Sequence, residues 1–176
     1  KGVEPRERYG LRVNVSIGKP VDRCSDCQVQ EAQLNATDTT IDFQDHWRSR
    51  FLFDMDGAGF SGRFIPFLQS RSLPFRTALF RTWIDSRLTA WYHFVPQDLR
   101  LHDVWSTFGY FAGVRDGLGG TLMEPHHHEG ERIAEQGREW AHKVLRKEDM
   151  EIYFFRLLLE WGRLTDDDRD TIGFMT

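Results

Sequence analysis

Between Leu11 and Gly18 the chain alternates Leu11, Val13, Val15 and Ile17 with other neighbours, the period of two that lays one face of a strand on a core. Residues 19–45 are polar and hold Pro20 and the run Asn35–Thr40, so they read as a surface connection with one short helical piece at Gln28–Leu34. Apolar density returns at Arg50–Asp56, a short and nearly continuous run of the kind that forms a buried strand. Glycines at 57, 59 and 62 interrupt it before Arg63–Gln69, where Phe64, Phe67 and Leu68 take the spacing of an amphipathic helix. Leu73–Thr77 then predicts a second strand, Trp83–Leu88 a helix and His93–Gln97 a third strand. Strand, glycine loop, helix, strand, helix, strand is the order of a parallel α/β sheet flanked by helices. Three further helices are predicted at Leu101–Ala112, Glu129–Leu145 and Lys147–Leu164. In the last, Ile152, Phe155, Leu158, Leu159 and Trp161 crowd one side, and Glu148 and Asp149 sit in the first turn. Residues 113–128 begin glycine-rich and read as a mobile insertion.

Composition narrows the function classes. The 176 residues suit one domain, and 14 Phe, 6 Trp and 4 Tyr supply bulky core material, which excludes a disordered, collagenous or coiled-coil chain. The formal charge is −4 with basic residues scattered along the chain, so no basic patch marks a nucleic-acid partner. No apolar run reaches the ~18–20 residues of a membrane span. The opening KGVEPRERYG lacks an apolar signal core, which reads as a piece of a longer chain. Cys24 and Cys27 in CSDC cannot fill a four-ligand zinc site alone and read as a loop pair, free or bridged. Asn14 and Asn35 lie in sequons, and Asn35, in the polar connection, is the better glycan acceptor.

The strongest chemical signal is FDMDGAGFSGRF, Phe53–Phe64. A strand running into glycines and then a helix lets backbone N–H groups approach an anion, and Arg63 adds a planar cationic fork suited to a diphosphate. The alternative is that Gly57, Gly59 and Gly62 only turn the chain beside a solvated arginine. The loop lacks the lysine of a P-loop, and although Gly57, Gly59 and Gly62 fit G-x-G-x-x-G, Leu73–Thr77 offers no acid for a dinucleotide ribose. Asp54 and Asp56 form an Asp-x-Asp that could hold a divalent ion, but a strand-end acid that caps the loop is the commoner role, and no metal is expected. His126–His128 cannot all face one ion and read as a solvated loop. No Gly-x-Ser-x-Gly elbow points to a hydrolase.

Four ordered blocks carry a resemblance: Trp47 to Phe64, Trp91-Tyr92-His93-Phe94-Val95-Pro96, Ile133-Ala134-x-x-Gly137-Arg138-Glu139-Trp140, and Arg146-Lys147-Glu148-Asp149-Met150. Together they resemble the C-terminal half of the fungal capsule-associated (Cap-type) glycosyltransferases, glycosyltransferase family 90, which includes the animal protein O-glucosyltransferases. The resemblance implies a Rossmann-like nucleotide-sugar domain of GT-B type and an inverting transfer of xylose or glucose from a UDP-sugar to a hydroxyl of a glycan or protein. It implies donor binding by Asp56, Gly57, Gly59, Phe60, Ser61, Gly62 and Arg63, with Thr82 at a position where the family usually carries an acid for the ribose. Ala90 replaces the family's proline before Trp91. UDP-sugar enters as substrate with no cofactor and no metal. The catalytic base is expected upstream of Lys1, in a missing N-terminal domain that also carries a type II membrane anchor, so that this segment is lumenal in the secretory pathway, in Golgi or ER, and inactive alone. The rival reading is a catalytically inactive carbohydrate- or protein-interaction module derived from the same fold.

Overall fold

The computed structural model describes residues 26–34 and 42–171. The strand expected at Leu11–Gly18, both sequons and Cys24 lie outside them. The described residues divide into two compact units, one built on Arg50–Leu101 together with the described segment from Glu131 onward, the other on His102–Gly130 with the described residues before Arg50.

The first of these holds a three-stranded parallel sheet in the order β1-β2-β3, where β1 is Phe51–Met55, β2 is Leu73–Thr77 and β3 is Val95–Pro96. Phe51 to Met55 pair in register with Leu73 to Thr77, and Phe75 and Arg76 pair with Val95 and Pro96. This is the parallel α/β architecture that the alternation of elements predicts. The middle strand is buried along its whole length, which is why LPFRT is apolar without alternation. Pro74 is tolerated in this central strand because β3 begins opposite Phe75. The Leu73 N–H goes to the Arg50 carbonyl and the Arg76 carbonyl accepts from Gln97, so position 74 faces the side where no strand yet pairs.

The helix over Phe64–Gln69, the second among the described residues (α2, after α1 at Cys27–Leu34), follows the glycine loop and buries Phe64, Phe67 and Leu68. Phe64 and Leu68 form a core with Ile84, Ala141 and Leu145. Phe75, fully buried, meets Phe51 edge-on at 5.6 Å between ring centroids. Two predicted elements come out shorter. Trp83–Leu88 is a 3-10 turn at Asp85–Arg87, because the Asp85 carboxylate accepts the N–H and hydroxyl of Thr82 and closes a local turn instead of propagating a helix. His93–Gln97 keeps only Val95–Pro96 as strand, because Trp91 takes φ 64° and the Thr89–His93 turn folds the chain back on itself, with Trp91 N–H bonded to the Phe94 carbonyl.

Two helices complete this fold, α4 at His127–Val144 and α5 at Lys147–Thr165, within two residues of their predicted ends. Asp149, in the first turn of α5, accepts the N–H of Arg146 and anchors the helix start. The apolar side read from Ile152, Phe155, Leu158, Leu159 and Trp161 does not join the core: all five are exposed.

In the other unit α3 spans Val104–Ala112, and the stretch expected as an insertion carries an antiparallel hairpin, β4 at Val114–Arg115 with β5 at Thr121–Met123. Asp116 closes its loop by accepting the N–H groups of Leu118 and Gly120, and Gly119 supplies a positive φ of 90°. His126 stacks on Tyr110 at 3.8 Å, and α4 begins at His127, so the histidine run forms a helix start rather than a loop. Cys27 is disulfide-bonded. Among the described residues no helix is long and apolar enough to cross a membrane, and no group of three or more His, Cys, Asp or Glu is arranged to hold a metal ion.

Candidate functional site

The parallel sheet dictates where to look. Ligands of open α/β sheets bind outside the carboxyl ends of the strands, and the glycine loop leaves β1 at that end. Gly57, Gly59 and Gly62 all have negative φ, and a Cβ built on any of them meets nothing within 4 Å among the described residues. Neither backbone conformation nor packing within the chain therefore requires glycine there. What glycine provides is a stretch of bare backbone facing open space, held by a hydrogen bond from Gly57 N–H to the Gly59 carbonyl at 2.9 Å. Alanine at any of the three is expected to change stability by no more than the ~0.5 kcal/mol typical of surface changes, so that any loss of nucleotide affinity in such a variant would report on the loop itself. Chemical denaturation beside a nucleotide titration separates the two effects.

Arg63 lies at the end of this loop with its side chain half exposed. Its Nη2 donates to the Met55 carbonyl at 3.0 Å, and its backbone N–H and Nε donate to Ser61 Oγ at 3.3 and 3.4 Å. Ser61 in turn donates its hydroxyl proton to Asp54 Oδ1. Asp54 is completely buried, its other carboxylate oxygen has no hydrogen-bond partner among the described residues, and Arg63 Nε lies 3.7 Å from Oδ1. Burial pushes the Asp54 carboxyl above the ordinary carboxylate range, outweighing the hydrogen bond from Ser61 and the nearby Arg63 and Arg76 cations.

Asp56 ties the two loops together. Its Oδ2 accepts the N–H groups of Leu79 at 2.6 Å and Phe80 at 3.0 Å, which draws the loop after β2 onto the end of β1. A strand-end acid capping backbone amides is the role weighed above against metal binding. Phe60 is two-thirds exposed beside the glycines. Thr82 lies in the loop after β2, and its N–H and hydroxyl bind Asp85 rather than the glycine loop. The Asp85 carboxylate also receives Arg76, whose guanidinium sits 4.3 Å over the Phe64 ring. Burial alone would raise Asp85, but the Thr82 N–H and the Arg76 bond outweigh it and hold the carboxyl below its usual value.

Sequence reasoning missed Asp54 as the anchor of Ser61 and missed the Arg76–Asp85 pair. Two signals were available: a lone arginine in the apolar strand LPFRT, and an acid three residues after a threonine, the spacing of a local cap. Arg76 is 8 % exposed with Nε unpaired, and lies next to Asp54 in the β1-β2 register. A buried network of alternating charge thus underlies the loops that follow β1 and β2.

No protein-family model matches the chain. Among curated proteins the chain is 30 % identical over 125 residues, 70 % of its own length, to an O-glucosyltransferase rumi homolog of Anopheles gambiae. The matched residues cover 29 % of that protein, so the chain spans less than a third of this relative's length, and its similarity is to part of a glycosyltransferase.

Proposed function

We propose that this chain is the donor-binding part of a glycosyltransferase of the Cap-type, family 90 class. Its whole protein moves glucose or xylose from UDP to a hydroxyl of a protein or glycan with inversion at the sugar carbon. The observation that supports this best is the pairing of bare backbone at Gly57–Gly62 with the half-exposed Arg63 at the carboxyl end of a parallel strand. Departure of UDP concentrates negative charge on the diphosphate, and a guanidinium already held at the strand end needs little reorganisation to stabilise it. Backbone amides of the loop meet the same charge, and Asp56 keeps the neighbouring loop against it. The base that deprotonates the acceptor belongs, in this reading, to the part of the longer protein without a counterpart here, and the setting is the lumen of the secretory pathway.

Melting curves of the chain with UDP-glucose, UDP-xylose, GDP-mannose and ATP, each with and without EDTA, test the reading. Ligand at about 100 times its Kd adds about 2.7 kcal/mol to the folded state, an easily read shift for a domain of this size. The UDP-sugars are expected to raise the midpoint and EDTA to leave that rise intact. An equal response to all four nucleotides, or none to the UDP-sugars, would contradict donor binding. A rise abolished by EDTA and restored by manganese would return Asp54 and Asp56 to a metal role.

A further inference from the structure

We infer that Asp54 is the positioning residue of this site: its buried carboxylate orients Ser61 and, through it, the Arg63 guanidinium toward an incoming nucleoside diphosphate. The inference rests on the donor-binding reading above. A serine hydroxyl has one proton, and here it goes to Asp54 Oδ1, which leaves the oxygen's lone pairs to face Arg63. Arg63 answers with its backbone N–H and Nε, while Nη2 reaches the Met55 carbonyl. Two of the five N–H bonds of the guanidinium are thereby turned to the strand end, and three are left for a ligand on the exposed side. Without Asp54 the Ser61 hydroxyl can rotate, its lone pairs leave Arg63, and a long flexible side chain must be ordered at the moment of binding.

The carboxylate also carries a charge of the same sign as the ligand. The charged and polar groups facing it are Ser61 and Arg63 from the loop, Arg76 from β2 and Asp56 beyond the strand end. A proton taken up at Oδ2, which has no partner, leaves Oδ1 to accept from Ser61. Protonation therefore removes the repulsion and keeps the orientation, so affinity for a diphosphate rises as pH falls through the Asp54 titration. The folded-state value lies above the ordinary 3.8, so this group favours folding most at low pH and that contribution fades as pH rises through the folded value. Asp54→Asn, which keeps an acceptor without the charge, is accordingly expected to be at least as stable as the wild type near neutrality.

Isothermal titration of UDP-glucose into the wild-type chain, Asp54→Asn and Asp54→Ala, from neutrality down to the lowest pH at which all three stay folded, makes the test. At the upper end the Asp54→Asn variant should bind several-fold tighter than wild type, and the Asp54→Ala variant about tenfold weaker than Asp54→Asn. Wild-type affinity should converge on that of the asparagine variant as pH falls, and the asparagine variant itself should stay flat. Equal affinities in the two variants would overturn the positioning role, and wild-type binding no weaker than that of Asp54→Asn near neutrality would overturn its electrostatic part. If the alanine variant does not fold, Ser61→Ala, which breaks the same link to Arg63, takes its place: weaker binding is expected, and unchanged binding would overturn the positioning role. Absence of binding in all variants at every pH overturns the donor reading and this assignment with it, whereas binding without the predicted order overturns this assignment alone.

Discussion

Replacing Gly137 by alanine is expected to destabilise the chain by about 2 kcal/mol or more, although alanine is the better helix former by about 1 kcal/mol. Gly137 lies within α4 where the helix crosses the turn before β3, and a Cβ there would stand 2.3 Å from the His93 carbonyl oxygen and 3.3 Å from Leu68 Cδ2. The oxygen is backbone and cannot rotate away. The helix is equally constrained one turn on, where Trp140 stacks on the buried His93 ring at 5.6 Å and donates its indole N–H to the Arg87 carbonyl. His93 is held from the other side, since its N–H goes to the Thr89 carbonyl and its Nδ1 accepts the Thr89 N–H. Moving α4 outward would loosen the Ala141 and Leu145 contacts with Phe64, Leu68 and Ile84. Urea denaturation should show a lower midpoint with an unchanged slope; a midpoint equal to or above wild type would mean that the helix and the turn are not locked together in this way.

Arg63→Ala is expected to weaken UDP binding about 10- to 100-fold, the worth of one charge-assisted hydrogen-bonding group at roughly 1.5–3 kcal/mol. Arg63→Lys should fall between, because it keeps the charge but loses the planar fork that can hold two phosphate oxygens. Stability is a separate readout. Removing Arg63 takes a cation from 3.7 Å beside the buried Asp54, so the Arg63→Ala variant should also fold slightly less well, though the half-exposed position of the arginine limits that loss to about 1 kcal/mol. Affinity that falls only as far as stability does would remove Arg63 from the binding surface.

Sequence pattern carried the secondary structure where one force dominated. Leu73–Thr77 was legible because a strand buried on both faces needs an apolar run, and α4 and α5 because a helix of their length repeats its period several times. Pattern failed where a single side-chain bond decided the outcome. Asp85 turned an expected helix into a 3-10 turn, and a positive φ at Trp91 cut the third strand to two residues. In α5 the period was right but periodicity does not say what covers a face, and Ile152, Phe155 and Trp161 stay exposed. That the glycine loop and Arg63 follow the end of β1 was legible because strand, glycines and cation are consecutive in the chain. The burial of Asp54 was not legible, because it sits opposite Arg76 in the β1-β2 register, a pairing that is not local in sequence.

Backbone amide shifts followed by NMR during a UDP-glucose titration decide whether the carboxyl end of β1 receives a UDP-sugar. Saturable changes are expected at Gly57–Phe64, with smaller ones at Leu79 and Phe80, whose amides are tied to the same strand end through Asp56. Changes confined to the hairpin at residues 114–123, or a spectrum unmoved at high UDP-glucose, would contradict it.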